Sequence, residues 1–118
     1  MKTIALKAKI HRAVVTHVDV DYEGSLGLDG SLLKAAALRP YEKVDVYNVS
    51  NGERFSTYLI REEEGSGKAA VYGAAGHKAR PGDRIIIASY ALFEGGELDS
   101  YTPIVIVLDE KNRIKERK

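Results

Sequence analysis

Residues 43–60 read KVDVYNVSNGERFSTYLI, and this stretch decides the fold class. Val44 and Val46 alternate with Asp45 and Tyr47, the two-residue period of a strand with one buried face. Asn51-Gly52 then marks a tight turn, because both residue types accept the positive φ such turns require. Glu53 to Ile60 returns, with Arg54, Ser56 and Tyr58 on one face and Phe55, Thr57 and Leu59 on the other. The stretch is a β-hairpin on local evidence alone.

The same reading extends outward. Residues 3–15 alternate, with Ile4, Leu6, Ala8 and Ile10 on one parity and Lys7, Lys9 and His11 on the other, which predicts a strand carrying Lys9 and His11 on one face. Asp29 can cap a short helix over roughly 30–38, buried through Leu32, Leu33, Ala36 and Ala37 and stopped by Pro40. Residues 69–72, 84–92 and 103–108 are further strands, with Ile85-Ile86-Ile87 predicted to be buried on both faces. Arg80-Pro81-Gly82-Asp83 is a turn, and residues 94–100 are a loop or short helix. The charged end, 109–118, reads as a solvated tail. Six or seven strands punctuated by glycine, with one clear helix, predict a mainly β protein, a small β-barrel rather than a sandwich or a βαβ fold.

Bulk properties narrow the function. The 118 residues make one domain, 1–118, and 44% hydrophobic with 30% charged residues describes a globular chain. A net charge of +1 gives no broad electrostatic case for nucleic acid or a membrane surface. The absence of cysteine excludes disulfides, thiolate metal sites and thiol catalysis. His11, His17 and His77 lie far apart and show no metal-ligand spacing, so no metal is expected. No apolar leader or membrane-length run is visible, which predicts a cytoplasmic protein.

Against this background Tyr22-Glu23-Gly24-Ser25 is the stretch with chemical potential. The Ser25 hydroxyl lies beside the Gly24 carbonyl, so attack would convert the amide to an ester. Elimination and hydrolysis, with loss of ammonia, would leave a pyruvoyl group at residue 25. Glycine suits the acyl side because no Cβ obstructs the attack. Gly-Ser is also ordinary turn material, and Gly30-Ser31 and Gly65-Ser66 repeat it, so the dipeptide alone favours a plain turn. Gly73-Ala74-Ala75-Gly76 lacks the ending of a phosphate loop, and reads either as close backbone approach to a small ligand or as a simple turn. Arg54 and Tyr58 are roughly 13 Å apart along a regular strand, too far to share one small substrate within one chain. Adjacent Thr57 and Tyr58 reach one site only where the strand ends, bulges or meets a neighbour.

Lys9-Ile10-His11-Arg12, Thr16-His17, Tyr22-Glu23-Gly24-Ser25, residues 51–58 and Gly73-Ala74-Ala75-Gly76-His77 together resemble the pyruvoyl-dependent aspartate 1-decarboxylases, collinearly over nearly the whole chain. The resemblance implies a double-psi β-barrel with one or two short helices, and a homotetramer with sites between protomers. It implies self-cleavage at Gly24-Ser25 into a β chain, 1–24, and an α chain, 25–118, with room for a maturation partner. The pyruvoyl group from Ser25 would condense with the amine of L-aspartate as a Schiff base, and the product would be β-alanine, a pantothenate precursor. Thr57 would polarise the Gly24 carbonyl and contact substrate. Tyr58 would donate the proton, and Lys9 and Arg54 would meet the carboxylates. The residues admit either pairing, although Arg54's fork favours the retained carboxylate. The backbone of Gly73, Ala74 and Ala75 would hold substrate, with His11 and Tyr22 lining the site. Two positions depart from the family pattern: Tyr72 stands where asparagine is usual, and Tyr47 where some members carry tryptophan. The alternatives are an unprocessed, inactive relative and a small β-barrel binding module, the latter disfavoured by the near-neutral charge.

Overall fold

The computed structural model describes residues 1–118. Nine strands form one sheet: β1 Lys2–Val14, β2 His17–Asp19, β3 Ser25–Asp29, β4 Lys43–Asn48, β5 Arg54–Glu62, β6 Ala69–Tyr72, β7 Arg84–Glu94, β8 Ile104–Leu108 and β9 Ile114–Arg117. Their spatial order is β2-β6-β3-β5-β4-β7-β1-β8-β9. A single helix, α1, spans Gly30–Ala35, and 3₁₀ turns cover Gly73–Lys78 and Glu97–Asp99. The protein is mainly β, as expected, with more strands than the sequence predicts. No helix is long and apolar enough to cross a membrane.

The inward faces of the strands converge on one cluster. Leu26 and Leu28 of β3, Leu59 of β5, Val44 and Val46 of β4, Ile85 and Ile87 of β7, Ala8 and Ile10 of β1, and Ile106 and Leu108 of β8 all belong to it. A sheet whose successive strands share one core has to wrap around that core. Asn112 ties the wrap together: its amide donates to Val14 O at 2.9 Å and to Gly67 O at 2.8 Å, and its oxygen accepts from Val14 N at 2.7 Å. It thereby links the end of β1 to the loop entering β6, on the far side of the strand order.

The β4–β5 hairpin forms with the face alternation expected, Val44 lying opposite Thr57 and Tyr47 opposite Arg54. Gly52 adopts φ +79° at the turn, but Asn51 does not share a positive φ, and the expected tight turn is a longer loop over residues 49–52, closed by Asn48 N donating to Glu53 O at 2.8 Å. Asp29 caps α1, accepting from Ser31 N at 2.8 Å. The helix is shorter than the expected 30–38, and Leu38 is buried beyond its end.

Three expectations are corrected. The parity of β1 does not hold: a register shift between Leu6 and Ala8 leaves Ile4, opposite Leu92, 70% exposed while Ala8 and Ile10 are fully buried. One extra residue in a strand exchanges the faces on either side of it. Ile86 is only half-buried, so β7 alternates there rather than running buried on both faces. The charged end is no free tail: Ile114–Arg117 pairs with β8 as an edge strand, where charged side chains suit an outer rim.

Candidate active site

β2 and β3 are joined by the turn that carries Tyr22-Glu23-Gly24, and Ser25 is the first residue of β3. Tyr22, Glu23 and Gly24 are exposed, while Ser25 is buried at 3% exposure. The backbone therefore passes from solvent into the protein at the Gly24-Ser25 bond. The Ser25 hydroxyl makes only one long contact, donating to Glu23 O at 3.4 Å. A buried hydroxyl held this weakly remains available to attack.

Gly73 presses against this bond. It has φ +77°, and a Cβ there would lie 2.5 Å from Gly24 Cα and 2.8 Å from Gly24 N. Only glycine meets both demands, so the small-residue turn makes a close backbone approach to the chain's own Tyr22–Gly24 segment. Gly76 packs likewise, because a Cβ would meet Val20 and Val18 side chains at 2.8 and 2.9 Å. The segment Gly73–Lys78 is thus a 3₁₀ turn braced on the strand-and-turn that leads into Ser25.

β5 runs parallel to β3 with Leu26 opposite Leu59, which puts Ser25 and Tyr58 on the same outward face of neighbouring strands. Tyr58 is 38% exposed and its ring lies 6.4 Å from that of Tyr41. Thr57 shares the opposite face with Leu59 and its partner Val44. The β5 pairings carry no register shift, so one chain alone does not turn Thr57 and Tyr58 to the same side.

Lys9 and His11 share a face of β1, which pairs with β7 and β8 and not with β3 or β5. His11 Nδ1 is buried with no partner. Burial, then the charges of Lys9, Arg12 and Lys118, hold its pKa below the ordinary histidine value, so the ring is neutral at pH 7. A neutral imidazole with an unpaired nitrogen is equipped to hydrogen-bond a ligand. Arg54 stacks on Tyr47, its guanidinium carbon 4.5 Å from the ring centroid, with no carboxylate in ion-pair reach. The Tyr47 hydroxyl pairs with that of Tyr90 at 2.8 Å, and this bond, with burial, pushes the Tyr47 pKa up to about 12. Tyrosine keeps here the flat surface that a tryptophan would offer.

The structure thus brings Ser25, Gly24, Tyr22, Gly73 and Tyr58 together, and leaves half-buried Lys9 and His11 on β1, which pairs with neither β3 nor β5, and Arg54 at the first residue of β5, four residues from Tyr58. It also gives Tyr72, noted above only as a departure from the family pattern, a definite place, and adds Glu62 and Lys68, which the sequence reading passed over. Tyr72 is the strand partner of Ser25, and its ring lies 4.9 Å from that of Tyr22. Its hydroxyl donates to Glu62 Oε2 at 2.9 Å, and Lys68 Nζ lies 3.5 Å from Glu62 Oε1. Burial and the bond to Glu62 raise the Tyr72 pKa, so it stays a phenol. Tyr22, Glu62, Lys68 and Tyr72 line a groove of about 680 Å³.

The family model for aspartate decarboxylase matches residues 1–115. The chain belongs to the aspartate decarboxylase family. Among its relatives are the aspartate 1-decarboxylases of Nitrosococcus oceani, 54% identical over 92% of this chain and 86% of that protein, and of Ralstonia nicotianae, 51% identical over 100% and 98%. A third, from Hydrogenovibrio crunogenus, is 50% identical over 97% of this chain and 88% of its own length. The resemblance read from the motifs is therefore a family relationship spanning the chain.

Proposed function

We propose that this chain decarboxylates L-aspartate to β-alanine, using a pyruvoyl group that it makes by cutting itself between Gly24 and Ser25 into chains 1–24 and 25–118. The observation that carries the proposal is Ser25 itself, a buried serine with an uncommitted hydroxyl behind a glycine pinned by a second glycine. These residues suit the group: the serine supplies its carbons, and the glycines leave the carbonyl open.

In the cut, Ser25 Oγ bonds to the Gly24 carbonyl carbon and the C–N bond breaks. The hydroxyl proton ends on the freed nitrogen. Loss of the residue 25 Cα proton then expels the Gly24 carboxylate, and water replaces the nitrogen, which leaves as ammonia. Thr57, which faces away from Ser25 within one chain, would polarise the Gly24 carbonyl of a neighbouring protomer. When formed, the pyruvoyl group supplies an electron sink for the pair left behind by the departing carboxylate.

The side chains do the rest. Tyr58, on the same face as Ser25, delivers a proton to the former α-carbon of aspartate. Arg54 binds a carboxylate through two parallel hydrogen bonds, pre-aimed by its stack on Tyr47. Lys9 supplies the second cation, while neutral His11 and Tyr22 border the substrate and the backbone of Gly73, Ala74 and Ala75 holds it. Since one chain separates Lys9, His11 and Arg54 from Ser25, we place the complete site between protomers of a homotetramer.

Intact mass and β-alanine production test the proposal together: two chains, with product formed from aspartate, are expected. A single uncut chain that makes product would remove the pyruvoyl group from the reading. The assembly is tested by exchanging subunits of processed Arg54→Ala and Tyr58→Phe proteins. Mixed tetramers, verified by native mass, regain activity if Arg54 serves a neighbour, and stay inactive if both residues serve one chain's site.

A further inference from the structure

Tyr72 grips the Gly24-Ser25 bond from both sides. Downstream, its backbone is the strand partner of Ser25. Upstream, its ring packs on Tyr22, and the next residue, Gly73, lies against Gly24. The far end of the ring is fixed as well, because its hydroxyl donates to Glu62 at 2.9 Å. Glu62 occupies space that exists only because residue 27 is glycine: a Cβ on Gly27 would fall 2.1 Å from Glu62 Oε2 and 2.9 Å from its Cδ. Lys68 closes the unit from the other side of the carboxylate, 3.5 Å from Oε1.

We infer that Tyr72, anchored by Glu62 in the space left by Gly27, is a positioning residue for the cut at Gly24-Ser25. This inference rests on the self-cleavage reading given above. The physical reason is that attack of Ser25 Oγ on the adjacent carbonyl needs the peptide held in one of several geometries open to an exposed turn. A small misplacement of reacting atoms costs rate steeply. The turn residues Tyr22, Glu23 and Gly24 are exposed and have little else to hold them. Tyr72's own polar atom points at Glu62, so it acts through placement of its neighbours and not by touching the reacting atoms.

Gly27 provides a test that leaves every other member intact. Its φ is not in the left-handed region, and the atom that an added methyl meets is the mobile end of a side chain. Gly27→Ala should therefore displace the Glu62 carboxylate and release Tyr72 while the strand remains. Glu62→Ala and Gly27→Ala should each slow chain cleavage about tenfold. Glu62→Gln, whose amide oxygen still accepts from Tyr72, should stay within about threefold of the parent. The double variant should be no slower than either single one, since both break the same contact. Cleavage is read as the first-order appearance of the two chains by mass, with the melting temperature measured alongside. A loss in melting temperature with an unchanged cleavage rate, or a Glu62→Gln protein as slow as Glu62→Ala, overturns the inference. Amide exchange of residues 22–26 in uncleavable Ser25→Ala protein reads the grip independently of cleavage. There Glu62→Ala should speed exchange in that segment, and no change would overturn the inference even if cleavage itself holds. Faster exchange in a protein whose parent is never cut would instead reject the self-cleavage reading and leave Tyr72 a purely structural grip.

Discussion

Glu23-Gly24-Ser25 and Glu64-Gly65-Ser66 are the same tripeptide in two settings. Gly65 sits at φ +82° in an open loop, with nothing within 4 Å of where a side chain would be, and Ser66 is exposed. Ser66 Oγ is already engaged, accepting from Lys68 N at 3.2 Å. Gly24 is hemmed in by Gly73, and Ser25 is buried with its hydroxyl almost unused. The third pair, Gly30-Ser31, is committed to the cap of α1, with Ser31 Oγ donating to Asp29 at 2.7 Å. In the proposed cleavage, what sets Ser25 apart is what the surrounding fold withholds from its hydroxyl, not the dipeptide.

The largest effect expected is from Ser25→Ala. It should leave the fold intact and abolish both cleavage and decarboxylation; two chains on a mass spectrum would show that the cut lies elsewhere. Next comes Tyr58→Phe, which keeps the serine and removes the proposed proton donor. It should cleave normally and then produce β-alanine about 10²–10⁴ times more slowly, the usual worth of a positioned acid. A normal turnover rate in cleaved Tyr58→Phe protein would assign the proton to another group.

The cap pair should respond in stability instead. Asp29 is buried and accepts from Ser31, from Gly65 N at 3.0 Å and from Gly67 N at 2.8 Å. Asp29→Ala should cost about 2–3 kcal/mol, a helix cap plus stranded buried donors, measured by urea unfolding of the uncut Ser25→Ala protein. Burial pushes the Asp29 pKa upward, but hydrogen bonds from Ser31, Gly67 and Gly65 outweigh it, and the net pKa lies below the ordinary 3.8. A lowered carboxylate pKa stabilises the fold fully above its unfolded value and loses that contribution as pH falls through the folded value. Urea midpoints should therefore fall with pH below about 4, and less steeply in Asp29→Ala, by that rule. The smallest effect belongs to Ser66→Ala, which should cleave normally and shift stability by no more than about 0.5 kcal/mol. Failure of this protein to cleave would mean that the wrong member of the twin tripeptides has been chosen.

Much of this was legible in the residues. The 43–60 hairpin, the Asp29 cap and the Arg80–Asp83 turn depend on neighbours in sequence, and alternation or turn chemistry exposes them. β9 was hidden because Ile114 is a lone apolar residue among charges, and its pairing is decided by the exposed edge of β8. The bulge at the start of β1 was hidden for a similar reason, since an alternating pattern carries no record of where its partner skips. At the candidate site, the motifs mark Ser25, Tyr58 and Gly73 as candidates. The Glu62–Tyr72 contact was not legible, because it depends on an absent methyl at Gly27, a vacancy that only the packed strands define.

β1 lies between β7 and β8, with Ala8, Ile10 and Ala13 wholly buried. A cut after Gly24 would separate this inner strand covalently from both of its neighbours, and β2 from β6, so the small fragment could leave only by opening three ladders and the core at once. Cleavage would thereby change the molecularity of folding. The uncut chain finds its native state in a first-order process, whereas the two pieces, once denatured, must meet again in solution. Recovery from denaturant would then depend on dilution, and the maturing cut makes sense only after the chain has already folded.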